Sequence, residues 1–166
     1  MAFICPICKT LHEDLPHIGA DKPDPWEDRL ASDPGSMLTS DLCIIEARDY
    51  FVRGVIEIPV HGYEPGFGWG VWVSHKKENF EIYRDNFDSD SIGPFFGWLA
   101  TDIAFFKEST LTLKTMAHYR GKDLRPTIVL VECEHPLYRH QRDGITLSEA
   151  WDIVHTYMDR SGNIPS

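Results

Sequence analysis

The sequence contains no long apolar run. No stretch of its 166 residues approaches the roughly 20 apolar residues that a helix needs to cross a bilayer. Residues 1–11 also lack the charged and then apolar pattern of a secretory signal. We therefore expect a protein of the cytoplasm with no membrane segment.

Positive charge is also scarce in this chain. Lys and Arg total 16 against 26 Asp and Glu, which gives a net charge of −10. This surplus repels phosphate backbones and anionic lipid headgroups, so it argues against nucleic acid and membrane surfaces as partners. A protein partner with a basic surface suits the charge better.

The common catalytic signatures are absent from the sequence. It has no Gly-rich phosphate loop, no nucleophile elbow and no HExxH pair. The run Gly66–Gly70 lacks the spacing and the following helix of a dinucleotide fingerprint. The sequence therefore does not decide whether the protein is an enzyme, although we favour a protein without catalytic activity.

Cysteine is sparse, but its placement is informative. A domain of this size needs no disulfides, so we interpret the cysteines as thiols or metal ligands. The two thiolates of Cys5 and Cys8 can face one ion across a tight knuckle, and His12 can add an imidazole nitrogen to a tetrahedral zinc site. Cys43 is the best fourth ligand by residue type.

Other interpretations of the cysteines stay open. His17 is the nearest alternative for the fourth zinc ligand, and Cys133 is a more distant one. A redox dithiol also has the CxxC spacing, but only four residues precede Cys5 and no helical pattern follows it. Two reduced structural thiols without a metal are the third interpretation.

The chain has the composition of one globular domain, with 42% hydrophobic and 25% charged residues. We predict a single domain over 1–166, in which 1–40 form an N-terminal knuckle and a Pro/Asp-rich arm and 41–166 form an α+β core. Alternation of apolar residues predicts five strands, at 42–47, 50–60, 67–74, 110–119 and 127–133.

Helical spacing appears in two places. It predicts a helix over 75–87 with Ser74 as its N-cap, and a C-terminal helix that starts at the capping box Thr146 to Glu149. The run 95–100 (FFGWLA) fits either a strand or a helix. The expected fold is a mainly antiparallel sheet of about five strands, covered by two or three helices, with the CxxC knuckle at its N-terminus.

Two further groups of residues invite functional interpretations. Cationic side chains are concentrated between His118 and Asp143, where they can bind an anion or instead pair with the surplus acids. Trp69, Trp72 and Trp98 can form a stacking platform, although aromatic residues in strands usually belong to the core.

Several segments resemble a bacterial family known as domain of unknown function 2199, in the same order and over nearly the whole chain. They are the CxxC followed by His, SDLC, FVRGVIEIPV, WGVWVS, FGWL, the Arg-Pro step and HPL…GIT. The resemblance implies a bacterial cytoplasmic protein of one domain. It also implies that Cys5, Cys8, His12 and Cys43 are positions typical of the family.

Two hypotheses of function follow. The first is a non-enzymatic binding or regulatory module with a structural zinc site. The second is a metal-dependent or His/Arg-based enzyme that acts on a small anionic substrate. We favour the first, because no catalytic set of residues is recognisable.

Overall fold

A computed structural model of the chain describes residues 3–4, 11–12 and 15–161, with side chains over 15–157. A 3₁₀ helix spans Asp28–Ser32. The strands and α-helices are, in chain order, β1 (Phe3–Ile4), β2 (Leu11–His12), β3 (Met37–Leu38), β4 (Leu42–Ile45), β5 (Asp49–His61), β6 (Tyr63–His75), α1 (Lys77–Asp85), β7 (Phe95–Trp98), β8 (Lys114–His118), β9 (Thr127–Leu130), α2 (Pro136–Asp143), β10 (Ile145–Thr146) and α3 (Leu147–Ser161).

The main sheet is mixed, and the prediction of a mainly antiparallel sheet of five strands was wrong. Within the described residues, eight strands form this sheet in the order β3-β4-β5-β9-β8-β7, and β6 and β10 also pair with β5. Both β9 and β10 run parallel to β5. Strands of two residues are too short to show alternation, and a parallel return depends on distant parts of the chain. Local periodicity therefore could not reveal either feature.

The long hairpin of β5 and β6 is the centre of the sheet. Each strand has 13 residues, and alternation divides their side chains between two apolar clusters. Trp69, Val71 and Val73 belong to the larger cluster, whereas Trp72 packs with Phe51 in the smaller one on the opposite face. The period-2 alternation of residues 67–74 predicts this division, with Trp69, Val71 and Val73 on one face and Trp72 on the other, and the structure confirms it.

The sheet curls until its last strand returns to β6. Just after β7, Leu99 forms an antiparallel bridge with Val73. The backbone N–H of Ala100 donates to the carbonyl of Trp72 at 2.8 Å. The end of β6 is therefore bordered by β5 on one side and by β7 and its extension on the other.

The Pro/Asp-rich arm is part of the folded structure, because it runs beside β6. Ile18 donates to the carbonyl of Gly68 at 3.1 Å and accepts from the N–H of Gly70 at 2.7 Å. A Cβ at Gly70 would lie only 2.9 Å from the Cα of Gly19, so the glycine permits this close approach. Farther along the arm, Leu30 is 1% exposed in the smaller apolar cluster.

The start of α3 agrees with the prediction from the sequence, whereas the start of α1 does not. α1 begins at Lys77 after Lys76 as N-cap, so Ser74 is not its cap, because β6 pairs with β5 as far as His75. The capping box of α3 is confirmed: Thr146 Oγ1 accepts from the N–H of Glu149 at 3.0 Å, and the Glu149 carboxylate accepts from the N–H of Thr146 at 3.3 Å. Of the helices in the described part of the chain, none has the length and apolar character that a bilayer crossing requires.

Candidate ligand-binding cleft

A cleft of about 410 Å³ opens where four segments meet: the start of β5, the end of β6, the first turn of α1, and β7. Small-molecule sites in proteins typically occupy about 300–1,000 Å³. Its walls combine aromatic rings with a few polar and charged groups, so we call it the aromatic cleft. The side chains that define its chemistry are Arg48, Tyr50, Lys76, Asn79, Phe96 and Trp98.

Gly97 allows β7 to lie directly against the end of β6. A Cβ at this position would overlap the carbonyl oxygen of Ser74. The backbone N–H of Trp98 donates to Ser74 Oγ at 3.0 Å, which fixes the strand there. Phe96 and Trp98 flank the glycine, meet edge to face with ring centroids 5.1 Å apart, and remain 38% and 45% exposed. The cleft therefore presents two accessible aromatic rings on a fixed strand.

His75 contributes to the cleft wall but is only 7% exposed. Its Nδ1 lies 2.6 Å from the carbonyl oxygen of Ser74, and its Nε2 lies 2.5 Å from the hydroxyl of Tyr119. Because a carbonyl can only accept, Nδ1 carries the proton and donates to Ser74, and Nε2 accepts from the Tyr119 hydroxyl. Burial lowers the pKa of His75 to about 4, against a smaller opposing effect of the Ser74 carbonyl. The imidazole is therefore neutral near pH 7, with both nitrogens engaged.

Cations outnumber acids on the walls of the cleft, although the whole chain has a net charge of −10. Arg48 is already paired, because its Nη2 lies 3.3 Å from Asp49 and 3.5 Å from Glu46. Lys76 is exposed, and it forms no ion pair with any residue that the structure describes. Its side chain also makes no capping bond to α1. The ammonium of Lys76 is therefore available to a ligand.

The zinc ligands predicted from the sequence lie mostly beyond what the structure describes. Cys5 and Cys8 fall outside the described residues, and His12 is described only as backbone in β2, opposite Phe3. Cys43 lies in β4 and is fully buried in the smaller apolar cluster, where burial raises the pKa of its thiol to about 12. That environment opposes the thiolate that zinc binds.

The two alternative ligands lie on other segments of the chain than β4, which carries Cys43. His17 is exposed beside β6, where its ring meets Phe67 edge to face, and Cys133 is half-buried after β9. Among the described residues, no three or more His, Cys, Asp or Glu side chains come together in a group that could hold a metal ion. The ligand set therefore stays a prediction.

The cationic residues between His118 and Asp143 do not converge on one anion site. Arg120 donates to the carbonyl of Arg125 and to Glu57, and Arg125 donates to Asp41 at 2.9 Å. On α2, Arg142 pairs with Asp143 at 2.8 Å. These side chains neutralise acids and cap carbonyls of the chain itself, which is the second of the two interpretations of the sequence.

His135 and His140 also lie in this stretch of the chain. His135 caps α2, because its Nδ1 accepts from the N–H of Leu137 at 3.0 Å while its Nε2 donates to the carbonyl of Glu108 at 3.0 Å. Burial lowers the pKa of His140. Both imidazoles therefore serve the packing and capping of α2, and neither is placed to act as a general acid or base.

The three tryptophans fall into two groups. Trp69 and Trp72 are 2% and 0% exposed, so they belong to the core. Trp98 differs from them, because it projects into the aromatic cleft. The platform interpretation thus applies to Trp98 alone, with Phe96 as its aromatic neighbour.

Sequence reasoning did not identify the aromatic cleft. Arg48, Lys76 and Asn79 come from ordinary polar positions at the ends of strands and at the start of a helix. The one available signal was in β7, where two large aromatic residues surround Gly97 on the same side of a strand. Two aromatic rings beside a glycine indicate that another backbone approaches closely.

The fold and the site define an α+β domain in which a curled mixed sheet carries a surface cleft at its strand ends. Over residues 4–145 the chain matches the family described as uncharacterized protein conserved in bacteria (DUF2199), and it belongs to that family. The resemblance seen in the sequence motifs is thereby confirmed. Neither the curated proteins nor the solved structures contain a significant match to the chain.

Proposed function

We propose that this protein is a non-enzymatic binding and regulatory module of the bacterial cytoplasm, and that the aromatic cleft is its ligand site. The observation that supports this most is the accessible pair of rings, Phe96 and Trp98, on the wall of a cleft of about 410 Å³. Rings that are left exposed beside convergent polar groups are typical of ligand sites. The free thiols of Cys43 and Cys133 agree with a reducing compartment.

The geometry of the cleft favours binding over catalysis. His75 is the histidine on its wall, and both of its nitrogens are engaged with Ser74 and Tyr119. Its pKa of about 4 makes it a poor proton acceptor at neutral pH. The hydroxyl of Ser74 already accepts from the N–H of Trp98. A serine nucleophile needs an adjacent base, and His75 is not free to serve as one.

The acidic exterior supports a protein partner with a basic surface. The net charge is −10, and carboxylates such as Asp21 and Asp28 have 89% and 98% of their side-chain surface exposed. A basic partner would associate faster through long-range attraction, and salt would weaken the complex. Occupation of the cleft would then regulate this association.

A structural zinc site at the N-terminus is the remaining part of the proposal. Cys5, Cys8 and His12 would supply three ligands, with Cys43 or His17 as the fourth. The antiparallel pairing of β1 with β2 supports a knuckle, because the strands that flank 5–10 lie side by side. Such a site would fasten the start of the chain to the domain.

Elemental analysis of the purified protein tests the zinc site. We expect one zinc per chain, and we expect Cys5→Ser to lose it while Cys133→Ser keeps it. Loss of zinc in Cys43→Ser would assign the fourth ligand to Cys43, and retention, together with loss in Cys5→Ser, would transfer that role to His17 or elsewhere. A wild-type protein without stoichiometric zinc would contradict the proposal.

The cleft is tested by nuclear magnetic resonance of the ¹⁵N-labelled protein with three naphthalene probes: 2-naphthoate, 2-naphthamide and 2-naphthylmethylammonium. Binding in the cleft should shift the backbone amides of Gly97 and Asn79 in a saturable manner. Trp98→Ala should weaken this binding, whereas Leu124→Ala, which removes an exposed side chain elsewhere, should not. The ligand site would be refuted if none of the three probes shifted these amides saturably.

A further inference from the structure

We infer that the aromatic cleft takes a small planar ligand with a single negative charge, such as an aromatic carboxylate. This inference rests on the proposed function, and it assigns a ligand class to the same site. Three features carry it: the accessible rings, the unpaired lysine on the wall, and the way in which the nearby acids are already occupied.

The ligand should be planar, because the walls offer ring faces and edges. Phe96 and Trp98 are fixed edge to face by the contact between β7 and β6. Tyr50 lines the cleft from the β5 side, where its ring packs on Phe80 of α1 with centroids 5.2 Å apart. Flat rings gain most from stacked or edge-to-face contact with such walls.

The ligand should be negative, because the cations at the cleft are in excess. Lys76 has no acidic partner among the described residues. Lys114 of β8 adds a second positive charge at the rim, since its Nζ lies 5.9 Å from the centroid of the Trp98 ring. The carboxylate on the wall, Asp49, is occupied by Arg48. The aromatic cleft therefore attracts an anion, although the net charge of the whole chain repels one.

The charge of the ligand should be one, because Lys76 is the single unpaired cation among the described residues that line the wall, whereas Lys114 outside the lining already faces the Trp98 ring. Arg48 shares its guanidinium between Asp49 and Glu46, so a second negative group on a ligand would compete with two carboxylates already in place. Asn79, in the first turn of α1, adds an amide that can donate to the same anionic group. One carboxylate on the ligand can thus pair with the Lys76 ammonium and accept a hydrogen bond from the Asn79 amide.

The experiment compares the three naphthalene probes, which share one ring system and differ in charge. We expect 2-naphthoate to bind at least about fivefold more tightly than neutral 2-naphthamide, and 2-naphthylmethylammonium to bind most weakly. Lys76→Gln should abolish the preference for 2-naphthoate over 2-naphthamide, while Lys107→Gln, at an exposed position outside the cleft lining, should preserve it. Raising the salt concentration should weaken 2-naphthoate binding more than 2-naphthamide binding.

The outcomes separate the ligand class from the ligand site. Equal binding of all three probes to the cleft would overturn the anionic ligand but leave the proposed binding function intact. Preference for the ammonium probe would do the same. Absence of saturable binding by every probe would overturn both. A preference for 2-naphthoate that survives in Lys76→Gln would show that Lys76 does not recognise the anion, which also overturns the inference.

Discussion

Acid should destabilise this protein through His75. Burial lowers the pKa of this imidazole from its ordinary value of 6.5 to about 4. Between these two values the unfolded chain binds more protons than the folded protein, so the free energy of unfolding falls as the pH falls. The stabilisation is complete above pH 6.5 and is lost near pH 4. It amounts to about 3 kcal/mol, at about 1.4 kcal/mol for each tenfold change in proton affinity.

The variant His75→Gln isolates this contribution. A glutamine amide can donate to the Ser74 carbonyl and accept from the Tyr119 hydroxyl, but it does not titrate. Urea unfolding followed by tryptophan fluorescence from pH 7.5 to 4 should show the wild type losing up to about 3 kcal/mol more than the variant. His118→Gln, which removes an exposed imidazole, controls for the loss of a histidine. Parallel losses in the wild type and His75→Gln would refute the view that burial keeps His75 neutral.

Three further substitutions test the packing by urea unfolding at pH 7. Gly97→Ala should cost about 1–3 kcal/mol, because the new Cβ overlaps the carbonyl of Ser74; a cost near zero would show that β7 can move away. Thr146→Ala should cost about 1 kcal/mol through loss of the capping box, and the neighbouring exposed Ser148→Ala should cost less; equal costs would exclude a capping effect. Leu30→Ala should cost about 2–5 kcal/mol, since this side chain of the arm is 1% exposed; a small cost would mean that the arm contributes little to the core.

Much of the local structure could be predicted because it depends on neighbouring residues. Alternation of apolar residues located most of strands β5 and β6 and assigned Trp69 and Trp72 to opposite faces. The capping box located the start of α3 for the same reason, since its bonds join residues three apart. α2 was missed because its N-cap is His135, which is not one of the side chains that usually mark a helix start.

The features that could not be predicted depend on contacts between distant segments. The parallel pairing of β5 with β9 joins Val55 to Thr127 across a long crossover, and nothing in either short sequence indicates direction. The prolines and aspartates of the arm favour turns and extended segments and do not indicate where the arm packs, yet Ile18 is 3% exposed beside β6. Gly68 and Gly70 carried the relevant signal, because glycines in a strand mark a close backbone approach, but they do not identify the partner.

The aromatic cleft illustrates the same limit for function. Its walls come from four segments whose side chains look ordinary in sequence, and they come together only because the sheet curls and brings β7 to β6. Alternation along β7 explains its exposed rings: Phe95 and Gly97 face inward, where position 97 lies against Ser74 and has no room for a side chain, and Phe96 and Trp98 occupy the other side. The net charge of −10 predicts that the protein repels anions, whereas the cleft favours them. The cleft differs because Arg48 pairs with Asp49 and leaves Lys76 without an acidic partner among the described residues. A local site can therefore favour an anion on a protein that repels anions overall.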